Sequence, residues 1–400
     1  MIVWAIYLIA VLVLAWIVLF TARWLVFLVA ALARPTHAEQ GDFPLLRFLV
    51  LIPAHNEERF LANTLESLKK VDYPETHFRV MVLADNCTDR TAEVARSLEA
   101  TVLERDEPEN PGKGQAIAWA LSGISLDPYD AVSIIDSDSV VSENYLKVMA
   151  RHLYRGAGAV QPCHGISNPD ENAFTGLFAI TNTMKNKLHL RGKAVCGLGV
   201  PFLNGYALST SLLKEVGWSA FGITEDTEYA LQLAWRGIFV DFAVEAEVSS
   251  VKATNFSEAY GQRLRWSAGQ VEDTRRLALP LLGRALRQGS LRMLDSALEV
   301  ISPSYSVMSA VTAAAIVALL VVHALTGMEP ILPLAVAAAI LLGLQAAFFA
   351  AGVIRNGLTV NSLVSLALIP VFVVWRAAIA AAGLAGAGRK SWKRADRGDR

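Results

Sequence analysis

The feature that most constrains this 400-residue chain is the uneven placement of its apolar residues. Ile2 to Ala22 carries no charged side chain, and after Arg23 the apolar run resumes as far as Ala33. A helix needs about 20 apolar residues to cross a hydrocarbon core of about 30 Å. A secretory signal would instead start basic and hold an apolar core of about 7–15 residues. MIVWAIYLIA has no basic residue, although AALARP resembles a small-residue cleavage site. Three further apolar runs, 301–327, 330–354 and 357–387, lie at the other end, the last interrupted by Pro370 and Arg376. The stretch between is of ordinary polarity. The chain is therefore expected to divide into an anchor at 1–34, a globular domain at 43–260, amphipathic interfacial helices at 261–298, a membrane region of two or three spans at 299–387, and a basic tail at 388–400.

Charge sets the expected orientation. Arg23, Arg34 and Arg47 follow the first span and nothing basic precedes it. Basic residues stay on the cytoplasmic side, so the globular domain is expected there, in a multi-pass protein of the inner or plasma membrane. The tail RKSWKRADRGDR belongs on the same side, yet three full C-terminal spans would put it outside. We expect 357–387 to be interfacial or re-entrant, with Trp375 and Arg376 at headgroup level, the alternative being a full third span. A net charge of −1 supplies no basic face for nucleic acid. Cys87, Cys163 and Cys196 form neither a CxxC pair nor a disulfide framework, which fits a reducing compartment.

From residue 46 to about 141, strand-like and helix-like segments alternate. LRFLVLIPA, FRVMVLA, TVLERD and DAVSIID read as strands, separated by NEERFLANTLESLKKV, CTDRTAEVARSLEA and GKGQAIAWALSGI as helices. Continuous apolar strands with crossover helices predict an α/β fold with a parallel sheet covered on both faces. Ligands bind beyond the carboxyl ends of such strands. The polar residues fall at those ends: Pro53, His55, Asn56 and Glu57 after the first strand, Asp85, Asn86 and Asp89 after the second, Asp136 and Asp138 after a later one. One such residue is commonly a turn or cap, and Thr88 is placed to cap DRTAEVAR. Several carboxylates on one rim raise each other's ionisation cost unless a cation faces them.

A nucleoside diphosphate with Mg²⁺ or Mn²⁺ meets that requirement, since such ions take one or two carboxylates plus phosphate oxygens. Asp138 is the expected metal ligand and Asp136 faces the ribose or sugar. Asp85 is placed to accept from a pyrimidine N–H, and Lys113 of NPGKGQA puts positive charge near phosphate or base. A second acidic motif, Thr224-Glu225-Asp226, precedes a helix expected over 228–236 that buries Tyr229, Leu231, Leu233 and Trp235. Its plain reading is a helix start with favourable acidic residues. Its chemical reading makes Asp226 a general base for an attacking hydroxyl. Downstream, AYGQRLRWSAGQ puts Gln262, Arg265 and Trp266 on a short amphipathic helix, either a membrane-surface helix or a binding face. In the second case Trp266 stacks an acceptor sugar, and Arg265 and Gln262 face diphosphate or acceptor hydroxyls.

Taken in order, Asp85, DSD at 136–138, TED at 224–226 and QRLRW at 262–266 resemble the D, DxD, TED and Q(Q/R)xRW series of family-2 glycosyltransferases. The likeness is to the membrane-integrated branch that includes cellulose, hyaluronan and chitooligosaccharide synthases. It implies a GT-A (Rossmann-like) domain between transmembrane helices, a UDP-sugar donor, a divalent metal, inversion at the anomeric carbon and Asp226 as base. Pro53, His55, Asn56, Glu57, Asp85, Lys113 and Asp136 then hold the sugar nucleotide. Glu225, Gln262, Arg263, Arg265 and Trp266 hold the acceptor or diphosphate. Gly205 of FLNGYALS falls where the family has a glycine, but the segment departs from GxGxxFR. The acceptor is expected to be a carbohydrate or a lipid, with membrane lipids as neighbours. The alternatives are single addition to a lipid or polyprenyl phosphate, and a non-catalytic sugar-nucleotide-binding subunit of an export assembly.

Overall fold

A computed structural model describes residues 2–33 and 43–388. Arg34 and the basic residues of the tail, used above for orientation, lie outside the described residues. The sheet is built around β1 (Phe48–Ala54), which is buried along its whole length. Alternate side chains point to opposite faces: Val50 and Ile52 join Leu61, Leu65 and Met149 in one core, while Leu49 and Leu51 join Ile117, Leu208 and Tyr229 in the other. This double burial explains why the strand reads as an unbroken apolar run.

β2 (Phe78–Asp85) and β4 (Ala131–Ile134) flank β1 in parallel, and β3 (Thr101–Arg105) pairs with β2 at the edge. The chain leaves β1 on one side for β2 and returns on the other as β4, which opens a crevice at the carboxyl ends. Helices α2 (Leu61–Leu68), α3 (Thr91–Ser97), α4 (Lys113–Gly123) and α5 (Tyr145–Tyr154) cover the sheet. Beyond β4 the sheet is mixed. It is completed by β5 (Ser139–Val141), β6 (Ala159–Ile166), β7 (Tyr206–Ser209) and β8 (Asp241–Ser250), in the order β3-β2-β1-β4-β7-β6-β8-β5.

α6 (Ala173–Thr183) runs through a π-helical turn, Met184–Leu190, into α7 (Arg191–Val195). α8 (Thr210–Val216) is followed by α9 (Glu225–Trp235), which starts three residues earlier than expected and so takes Glu225 and Asp226 into its first turn. Trp235 is 41% exposed rather than buried, and the Arg284 guanidinium lies over its ring. The expected short helix is the 18-residue α10 (Phe256–Asp273), which crosses the expected boundary at 260. A second π turn, Thr274–Ala278, leads to α11 (Leu279–Gln288) and α12 (Leu291–Ile301).

Among the described residues three helices are long and apolar enough to cross a membrane: α1 (Ile2–Ala33), α13 (Tyr305–Thr326) and α14 (Ile331–Asn356). A buried polar node joins them, where Gln345 Nε2 donates to Thr21 Oγ1 and Thr312 Oγ1, each at 3.0 Å. With 32 residues, α1 is about 48 Å long and exceeds the hydrocarbon core. Its Arg23 pairs with Asp295 (2.8 Å) and Glu299 (2.6 Å) of α12, and Lys193 of α7 reaches the same two carboxylates. Arg23 is thus part of an internal ion network as well as a flanking charge. α15 (Val360–Leu366) and α16 (Ile369–Leu384) meet at 61°, and Pro370 starts α16 where a missing N–H costs nothing.

Candidate active site

The loop after β1 is fixed by its own polar groups. Asn56 takes a left-handed conformation (φ 55°), and its Oδ1 accepts from the N–H groups of Thr88 (2.8 Å) and Asp89 (3.3 Å). His55 Nδ1 lies 2.7 Å from the Asp85 carbonyl, so that nitrogen carries the proton. Thr88 does not cap α3, whose N-cap position is Arg90; Asp89 Oδ1 accepts from Thr91 N at 2.9 Å. Thr88 is occupied with Asn56 because the two loops meet at this rim. Asp85 is buried and paired with the buried Arg105 at 2.6 Å. The two are cross-strand partners in the β2–β3 register, and Arg105 also reaches Glu107 and the Asn110 carbonyl. One Asp85 oxygen, Oδ2, stays buried without a hydrogen-bond partner.

The two acidic motifs meet across Lys113. Its ammonium lies 2.6 Å from Asp136 Oδ1 and 2.9 Å from Glu225 Oε1. The sequence placed this charge beside phosphate or base; here it is clamped between carboxylates from the strand end and the α9 start. Burial opposes its charge, but Asp136 and Glu225 outweigh that and hold its pKa well above the ordinary lysine value. Asp136 is further set by Asn204, whose Oδ1 accepts from the Asp136 N–H at 2.9 Å and whose Nδ2 donates to Ser139 Oγ. Ser139 Oγ in turn donates to Asp138 Oδ1 at 3.2 Å. Asn204 can do this because Gly205, at φ 70°, turns the chain directly after it.

Asp226 has a different environment. Burial and the neighbouring Glu225 push its pKa up to about 7, against the opposing pull of Lys113 and the Thr227 N–H. That N–H donates to Asp226 Oδ1 at 2.7 Å, which orients the carboxyl and leaves Oδ2 for a proton. Thr224 Oγ1 donates to Asp273 Oδ2 at 2.7 Å and so ties the start of α9 to the end of α10. Burial likewise raises Asp273, to about 7.

Asp85, Lys113, Asp136, Asp138, Glu225, Asp226 and Asp273 line one cavity of about 890 Å³. Of the residues singled out in the sequence as site residues, every one lines it except Asn56, whose side chain is spent on the loop. On α10 the Arg263 guanidinium lies between Phe178 and Trp266, 4.6 and 5.0 Å from the ring centroids. Trp266 is 38% exposed. Sequence reading passed over Arg105, Asn204, Asp273 and Lys185, and read Arg376 only as a headgroup-level residue, whereas it lines the cavity. Only Arg105 carried a local signal, as a charge closing an apolar edge strand at the same rim. No cluster of three or more His, Cys, Asp or Glu able to hold a metal occurs among the described residues. A cation that takes most of its ligands from a diphosphate needs one or two carboxylates, and Asp138, which lines the cavity, fits that donor set.

A family model described as glycosyltransferase like family 2 matches residues 44–269, more than half of the chain. The chain belongs to this glycosyltransferase family. Relatives match this chain at modest identity. A beta-monoglucosyldiacylglycerol synthase from Nostoc sp. is 27% identical over 247 residues, covering 59% of this chain and 52% of that protein. The probable glycosyltransferase YdaM of Bacillus subtilis is 26% identical over 229 residues, covering 55% and 54%. A cellulose synthase catalytic subunit from Pseudomonas fluorescens is 23% identical over 260 residues, covering 60% and 33%. The chain thus spans about half the length, or less, of these relatives. In fold, this glycosyltransferase matches the mannosyltransferase PcManGT from Pyrobaculum calidifontis, solved with GDP-Man and Mn²⁺. The TM-score is 0.56 at 19% identity, covering 87% of this chain and 97% of that one. The GT-A-like α/β domain is therefore flanked by helices apolar enough to span a membrane.

Proposed function

We propose that this glycosyltransferase moves a sugar from a UDP-sugar to a hydroxyl of a lipid or polysaccharide at the cytoplasmic face of a membrane, inverting the anomeric carbon. The observation that carries the reading is Lys113 holding Asp136 and Glu225 together, so that donor-side and base-side carboxylates share one cavity. Asp85, with its buried free oxygen, is suited to a pyrimidine N–H and is held for that task by Arg105. Asp138 would hold Mg²⁺ or Mn²⁺, which when bound offsets negative charge on the departing diphosphate. Asp226, near pH 7 in its affinity for a proton, takes the proton of the acceptor hydroxyl as the new C–O bond forms. The sugar's bond to the diphosphate oxygen breaks on the opposite face, where Arg265 of α10 supplies donors.

The domain limits 43–260 and 261–298 belong to this reading as one working unit, because α10 lines the same cavity as the strand ends. A lipid acceptor is the favoured alternative to a growing polysaccharide. The cavity continues past the donor carboxylates to Phe372, Ile379 and Leu384 of α16, an apolar wall suited to acyl or prenyl chains. The test is a panel of UDP- and GDP-sugars with the full chain in membranes and Mn²⁺, with product mass determined. Turnover of one UDP-sugar over the rest supports the reading; turnover of GDP-sugars alone, or of none, contradicts it.

A further inference from the structure

We propose that the membrane end of the cavity is a subsite for an anionic headgroup, in which Lys185, Arg263 and Arg376 hold a phosphate on a lipid acceptor while its hydroxyl reaches Asp226. The inference rests on the glycosyl-transfer reading and names its acceptor class. The three cations come from separate elements: Lys185 from the π turn between α6 and α7, Arg263 from α10, and Arg376 from α16. All three line the cavity. π turns place side chains off the regular helical rows and recur at functional positions.

None of the three is paired directly with a carboxylate. Lys113, Lys193 and Arg23 each sit against two carboxylates. Among the described residues Lys185, Arg263 and Arg376 form no ion pair with any carboxylate, and Arg263 has only the faces of Phe178 and Trp266. Grouped cations out of bulk water are costly unless an anion joins them. Burial lowers the pKa of Lys185, against the attraction of Glu299 and Asp226 beyond ion-pair distance, and, with Arg376 adding repulsion, that of Arg263. An incoming phosphate would reverse both effects. The donor diphosphate has its own place at the strand ends, beside Asp138, and its own arginine in Arg265.

The apolar wall fixes the source of the phosphate as a lipid. Phe372, Ile379, Ala380 and Leu384 of α16 line the cavity, while Val371 and Val374 of the same helix are exposed on its outer side. α16 lies close on α10 because Gly383 leaves room for Ser267, which brings Arg376 towards Arg263. A lipid chain can follow α16 out of the cavity while its phosphate stays among the cations. In the reaction the acceptor hydroxyl gives its proton to Asp226, its oxygen bonds to the anomeric carbon, and the nucleoside diphosphate leaves with the electrons of the broken C–O bond. The acceptor phosphate is held and not consumed.

The test uses the full chain in detergent with short-chain phosphatidylglycerol, short-chain diacylglycerol, which lacks the phosphate, and glycerol 3-phosphate, binding being followed by native mass spectrometry. We expect phosphatidylglycerol to bind about tenfold or more tightly over diacylglycerol, and Lys185→Gln or Arg376→Gln to remove that preference. Arg376→Lys should restore it, which separates lost charge from misfolding. Equal binding of the two lipids, or a preference unchanged in both Gln variants, overturns the proposal. So does UDP binding that falls in parallel with lipid binding, because the cations would then serve the donor. Glycerol 3-phosphate competing as well as the lipid overturns the lipid source. UDP-sugar hydrolysis without acceptor reports on the glycosyl-transfer reading separately: its presence with no lipid preference sinks this inference alone.

Discussion

Asp226 is a carboxyl among carboxylates, and its proton affinity follows from that company. Burial and the neighbouring Glu225 push its pKa up to about 7. A base acts only when deprotonated, so kcat/KM for transfer should rise with pH to a plateau through a single ionisation near 7. A UDP-sugar carries two negative charges that a divalent cation offsets, so the inflection in kcat should stay near the same pH. A pH–rate profile checks both; a flat profile from about pH 5 to about pH 8 would remove Asp226 from the rate law. The carboxylates of this site were legible because they punctuate apolar strands and a helix start, where lone charges are conspicuous. Arg105 was not, because its partner Asp85 is set by strand register, a long-range fact. The clamp on Lys113 joins α4 to α9 and was invisible for the same reason.

At the scale of elements, the order of strands and helices up to β4 follows from apolar periodicity, which local sequence encodes. The start of α9 does not. Thr224-Glu225-Asp226 reads as a cap before the helix, but Thr224 gives its hydroxyl to Asp273 of α10, and the helix opens at Glu225. A tertiary hydrogen bond thus decided a boundary that propensity could not. The spans were legible by length, whereas the node that joins three of them at Gln345 was not. Polar contacts between membrane helices average about 0.6 kcal/mol with a ceiling near 1.7. Gln345→Leu breaks two, so we expect a loss of about 1 kcal/mol in denaturant titration of the detergent-solubilised chain. A variant as stable as the parent would mean that apolar packing alone holds α1, α13 and α14 together.

The whole molecule is a sheet whose carboxyl ends open into a cavity that continues to the long apolar helices. Hydropathy made that layout visible as a polar domain between apolar ends. It could not show that α10 and α16 form the cavity's far wall, because their packing depends on a glycine and a serine meeting in space. The ion network of Arg23, Lys193, Asp295 and Glu299 ties α1 to α7 and α12. The central claim is that the TED carboxylate does chemistry on a donor held by the DSD loop. Comparing Asp226→Asn with the parent chain tests it most directly, by measuring UDP binding and sugar transfer on the same preparation. We predict UDP affinity within about twofold of the parent and transfer reduced by about 100-fold or more. Transfer at the parent rate with UDP still bound would contradict the account.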